Sequence, residues 1–182
     1  MKEIRMLLLL VALVGVIDSC TKTETKNVTS AATANGILLA GTTGQSKSWK
    51  LSSISQSKNG GANIPASGIP TCESDNVYKF SNNSTQSYEA RENTVCTTGD
   101  PTTVETGTWA FTDDGKTLLI EGSTNVTDTE IQSTDHDILF YLVLTQWGPL
   151  SVTQISDSSV TLTYSFTYNT DKYVMTVVLA KA

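Results

Sequence analysis

Histidine is nearly missing from this chain: His136 is the only one among 182 residues. One imidazole leaves few routes to a nucleophile–base–acid triad. No serine sits in a G-x-S-x-G elbow, and no P-loop or dinucleotide-binding glycine pattern follows a strand. What survives of catalysis is a hydrolase in which two carboxylates meet from distant strands. Asp135 and Asp137 flank His136, with Asp128 and Glu130 upstream. Their spacing matches neither an EF-hand nor a zinc signature, so this reads as a solvated polar loop, with no metal and no other cofactor expected. Cations are scarce as well. Lys and Arg number 12 against 18 Asp and Glu, a net charge of −6. Such a chain repels nucleic acid and anionic headgroups, which removes nucleic acid from the partners. Long apolar runs are absent save one, Met6 to Ile17, which is too short to span a bilayer. Asn27, Asn82, Asn83 and Asn125 match N-x-[ST], as chance provides in a sequence so rich in Asn, Ser and Thr.

The basic start Met-Lys-Glu-Ile-Arg followed by that apolar run is the pattern of an export signal. It ends at Ile17-Asp18-Ser19-Cys20, which resembles the lipobox of bacterial lipoproteins. The resemblance implies a signal peptide over residues 1–19 and a lipid on Cys20, the mature N-terminus. Cysteine arithmetic agrees: of three cysteines in an exported chain, a lipidated Cys20 leaves Cys72 and Cys96 to form one disulfide. Loss of residues 1–19 removes Lys2 and Arg5 with Glu3 and Asp18, so the charge stays at −6. From Thr21 to Asn35 the only large apolar residue is Val28, which predicts a flexible tether over 20–36. Ile37-Leu38-Leu39 opens the folded domain, 37–182, as a short helix over one end, stopped by Gly-Thr-Thr-Gly.

Beyond Gly44 the period is mostly two. A first strand is predicted near 47–55 around Trp49 and Leu51, followed by an irregular loop over Lys58–Pro70. Tyr78 and Phe80 on one strand and Tyr88 on the next make a hairpin about Ser-Asn-Asn-Ser-Thr, with the two cysteines at its open end. Closing that loop of about 25 residues stabilises by about 3.5 kcal/mol on the loop-entropy account. Gly107–Phe111 and Lys116–Ile120 flank Asp113-Asp114-Gly115. Ser123–Glu130 is a weaker strand, and Ile138–Leu144 is a strand apolar on both faces. Val152–Ile155, Val160–Phe166 and Tyr173–Leu179 complete the list. Such a meander is all-β, and it removes its edges by closing into an antiparallel up-and-down β-barrel of about eight strands. A two-sheet β-sandwich uses the same strands.

Trp49 in the first strand, C-x-x-D-N-x-Y-x-F at Cys72–Phe80, Cys96 and G-T-W-A-F at Gly107–Phe111 together resemble the bacterial lipocalin-like lipoproteins. The resemblance implies a single calycin-type barrel, exported and lipid-anchored, in the cell envelope and most often the outer membrane. The lipocalin G-x-W motif is not matched, since Gly44 lies five residues before Trp49. Trp49, Tyr78, Phe80, Tyr88, Trp109 and Phe111 alternate so as to share the barrel interior, where they line a cavity for a small apolar or amphipathic ligand or pack as a filled core. The functional reading is non-enzymatic binding of such a ligand, or of an envelope protein. The alternative is a structural or adhesive module using loops 56–71 and 122–136.

Overall fold

The computed structural model describes residues 29–66, 69–96, 98–124, 130–132, 139–141, 144 and 148–182. The expected signal peptide, Cys20, most of the expected tether and His136 with its neighbouring aspartates lie outside them. Helix α1 spans Ala31–Ala40, and a helical turn, α2, spans Thr71–Ser74. The strands are β1 Ser46–Lys58, β2 Ile64–Pro65, β3 Val77–Ser81, β4 Ser87–Arg91, β5 Thr103–Phe111 and β6 Thr117–Thr124. After them come β7 Glu130–Gln132, β8 Leu139–Tyr141, β9 Leu150–Ile155, β10 Ser159–Tyr168 and β11 Asp171–Lys181.

Eight of these strands close an antiparallel barrel in the order β1-β3-β4-β5-β6-β9-β10-β11, and β11 pairs back onto β1. The sandwich is thereby excluded. The closing ladder, from Trp49↔Lys181 to Lys58↔Tyr173, is long, and a bulge between Leu51 and Ser53 bends it. The bulge adds one residue and flips the facing, so that Trp49 points inward before it and Ile54 after it. At β6–β9 the wall is narrow: only Thr117↔Ser151 and Leu118↔Leu150 pair. Strand β2 hangs on the outer half of β1. The apolar run Ile138–Leu144, expected as one strand, supplies Leu139–Tyr141 to a separate two-stranded hairpin with β7. Leu144 stands apart from that hairpin, fully buried. Among the described residues no helix is long and apolar enough to cross a membrane.

Residues 31–36 correct the expected tether, for they are the first turns of α1. Nothing in Ala-Ala-Thr-Ala-Asn-Gly shows a helical apolar stripe, so the cause is docking. Ser30 caps the helix, its hydroxyl accepting from the Thr33 N–H at 3.2 Å. At the other end Gly41, at φ +88°, turns the chain and returns its N–H to Ile37 O. Barrel side chains take three further carbonyls at this end, groups a helix cannot satisfy itself. Trp49 Nε1–H donates to Leu39 O at 2.9 Å, Lys47 Nζ to Leu38 O at 2.8 Å, and Asn82 Nδ2 to Gly41 O at 2.8 Å.

Candidate functional site

The two ends of the barrel differ in chemistry. At the base, where β1 begins and where β3–β4, β5–β6 and β9–β10 turn, α1 lies across the opening. Its Leu39 and Ala40 are buried against the barrel, and its Asn35 Nδ2 donates to Gly115 O at 2.9 Å. Trp49, Tyr78, Phe80, Tyr88 and Trp109 are all buried, whereas Phe111 is half-buried against them. Ring centroids lie 5.0 Å apart for Phe80–Tyr88, 6.3 Å for Phe80–Trp109 and 6.0 Å for Trp109–Phe111, the last two edge-to-face. These rings touch one another and so form a packed lower core. Outside it, a groove of about 490 Å³ runs between α1 and the end of β5, lined by Thr33, Ile37, Asn82, Gln86, Trp109 and Phe111.

The upper half is polar as well as aromatic. Counting back by twos from Trp109 along β5 reaches Gly107 and then Glu105, whose side chain is fully buried. Its carboxylate Oε1 accepts from the Tyr88 hydroxyl at 3.2 Å and from the backbone N–H of Leu144 at 3.1 Å. Burial first, and then the Glu105 charge, hold the Tyr88 phenol well above its ordinary pKa, so it stays protonated and donates. On β10 and β11, Tyr164 stacks on Phe166 at 5.8 Å and Phe166 on Tyr173 at 5.4 Å. Lys58 Nζ sits 5.6 Å over the Tyr173 ring and 2.6 Å from Asp171. Asp171 is held below the usual carboxylate range by its bonds from Lys58 and Asn59, which tie the end of β1 to the β10–β11 turn. Above Leu118 on β6 and Thr163 on β10 the described pairings place no strand between these two walls.

The sequence reading omitted Glu105, Tyr164, Phe166 and Tyr173 from the candidate site. The signal for Glu105 was present in the alternation anchored on Trp109, but a charged residue in a strand is ordinarily assigned to the solvent face. Among the described residues no group of three or more His, Cys, Asp or Glu is placed to hold a metal ion.

Cys72 and Cys96 are bonded, their Cα atoms 5.2 Å apart, and join α2 to the loop after β4. Replacing both by serine is expected to cost up to about 3.5 kcal/mol, from the loop of roughly 25 residues that the unfolded chain regains. Chemical denaturation of oxidised wild type against the double variant measures this, and equal midpoints would contradict it. Beside the bridge, Glu92 is buried and accepts from the Cys96 N–H at 3.3 Å. Burial raises its pKa, Asp100 and Asp75 raise it further, and the Cys96 N–H opposes them. A carboxyl raised in the folded state binds its proton more tightly there than when unfolded. Its stabilising contribution is therefore complete below the unfolded pKa and lost as pH rises through the folded one. Glu92→Gln should flatten the fall in stability between about pH 4.5 and neutrality. Thermal melts across that window test it, and a variant that keeps the wild-type slope would refute the assignment.

An eight-stranded up-and-down barrel with a plugged base and a polar group inside its mouth defines a class of small, single-domain binding barrels. A sequence model described as the lipocalin-like domain matches residues 46–141, just over half of the chain. The chain belongs to that lipocalin-like family, and its last three barrel strands complete the cylinder beyond the matched region. No curated protein matches it.

Proposed function

We propose that this protein is a lipid-anchored component of the bacterial cell envelope, held to the outer membrane through Cys20. Its barrel binds a small apolar or amphipathic molecule without transforming it. Membership of the lipocalin-like family supports ligand binding in general. The observation that carries the finer reading is the upper barrel, where Glu105 and Tyr88 set a polar anchor inside an aromatic wall. A few placed polar groups within an apolar lining are what orients a small ligand. Native mass spectrometry of the protein purified from its own host tests the reading: a co-purifying small molecule supports it. A homogeneous apoprotein that also fails to take up a neutral fluorescent apolar probe would count decisively against it.

A structural module with a filled core is the second reading, favoured by the contact among the lower rings. Its adhesive form has weaker support. Among the described residues the exposed large apolar ones, Ile37, Ile64 and Tyr168, lie on three separate elements, and of these Ile64 alone belongs to loop 56–71. Single exposed apolar residues are ordinary.

A further inference from the structure

We infer that the groove between α1 and the end of β5 is a separate binding site, outside the barrel, for a short neutral saccharide. It does not depend on the barrel's own ligand. At about 490 Å³ the groove has the size of a small-molecule site, and it adjoins a recess of about 260 Å³ on the outer face of β5 and β6. Among the described residues that line the groove none is charged, although the chain carries −6, so an ionic head finds no counter-ion there. Thr33 on α1, Thr43 on the turn after it, and Asn82 and Gln86 in the β3–β4 turn bring hydroxyls and amides from three segments. The half-buried Phe111 and the exposed Ile37 supply an apolar side. An alkyl chain laid in the groove would strip the polar groups of water and return no hydrogen bond. An extended peptide needs an open strand edge, and β5 is already paired on both sides, to β4 and to β6. A sugar ring carries hydroxyls around its rim and C–H groups on its faces. Those hydroxyls donate and accept, as the amides and threonines do, so one ligand meets both kinds of lining.

Gln86 is the residue on which the site turns, for it lines both the groove and the recess. Its backbone lies at φ +49°, in the left-handed region that favours glycine or asparagine. There its N–H reaches Asn83 O at 3.1 Å and its carbonyl accepts from the Trp109 N–H at 2.9 Å. Turn geometry alone gives no reason for a glutamine at such a place. The side-chain amide makes no hydrogen bond to any described residue, so its donor and its acceptor are both open to a ligand. Asn82 is already held by its bond to Gly41 O, so this wall of the groove is formed before a ligand arrives.

The test follows the nuclear magnetic resonance signals of the isotope-labelled full chain as maltose, cellobiose, lactose and diacetylchitobiose are added in turn. At least one of these is expected to shift the Asn82 and Gln86 side-chain amides and the Thr33 and Thr43 backbone signals, with a Kd of about 1 mM or tighter. Tyr164, Phe166 and Tyr173 inside the barrel should not move. Gln86→Gly removes the amide and suits the left-handed backbone, so it should fold and bind at least about fivefold more weakly. Gln154→Ala, on an exposed residue of β9, should bind as the wild type does. The deacetylated diamine of chitobiose, cationic at mildly acidic pH, should bind no more tightly than its neutral parent, although the acidic chain attracts it. Four results each overturn the inference: no groove shift with any of the sugars, a groove shift with octanol but with no sugar, tighter binding of the diamine, or full affinity in a folded Gln86→Gly. Should Gln86→Gly fail to fold, the wild-type map decides, since shifts confined to the groove support the site and shifts elsewhere overturn it. None of these results bears on the barrel ligand, whose failure would show in the apolar probe instead.

Discussion

Alanine at position 107 should lower the thermal midpoint by about 8–16 °C, a loss of about 4 kcal/mol in a domain of this size. Gly107 and Gly122 are cross-strand partners in the β5–β6 ladder. A Cβ on Gly107 would lie 2.8 Å from the Gly122 Cα and 2.9 Å from the carbonyl carbon of Glu121. One on Gly122 would lie 2.8 Å from the Gly107 Cα and 2.9 Å from the carbonyl carbon of Thr106. These are backbone atoms, so no change of rotamer relieves the clash, and the two strands must part. Trp109↔Ile120 and Glu105↔Thr124 lie on either side, so the separation disturbs both the packed lower core and the polar mouth. Because the two substitutions break one contact, the double variant should cost much less than the sum of the singles. Melts of the three variants test this, and a Gly107→Ala protein within about 2 °C of wild type would show that the strands do not approach so closely.

Trp49→Ala should cost about 4–5 kcal/mol, near the upper end of large-to-small changes in a core. The indole is wholly buried, and its N–H also holds Leu39 O, so the substitution leaves both a cavity and an unmet carbonyl in the last turn of α1. Trp49→Phe keeps most of the ring and loses the hydrogen bond, with an expected cost of about 1–2 kcal/mol. The distinguishing readout is amide hydrogen exchange over residues 34–41. Trp49→Ala should expose these amides at a much lower free energy than those of β10 and β11, because the helix is held by docking more than by its own propensity. Uniform loss of protection across the domain would instead mean that helix and barrel unfold as one unit.

The strand alternation was legible because one face of each strand meets a core and the other meets water. Val160, Leu162, Tyr164 and Phe166 against Thr161, Thr163 and Ser165 carry that contrast in full, and β10 follows it. Closure was legible too, since hairpins in sequence leave two edges that only pairing of first with last removes. The short helix at Ile37-Leu38-Leu39 was legible, but its first turns over residues 31–36 were not, because what holds the helix lies elsewhere in the chain: Trp49, Lys47 and Asn82 reach carbonyls at its end. The bulge in β1 was hidden for a similar cause, since Ser52 and Ser53 give no sign of which residue is extra. Glu105 could be placed inward by counting from Trp109, yet two of the hydrogen bonds it accepts come from Tyr88, 17 residues away, and from Leu144, 39 residues away. Local pattern specifies which way a side chain points. Partners across the barrel decide whether a charge can remain there.

The chain enters the domain at Ser30, beside Gly115 and the turns of the base. If the proposed lipid is on Cys20, the anchored segment leads into the plugged end of the barrel, and the opposite rim receives no attachment from it. A ligand entering at that rim would not meet the chain that leads to the anchor.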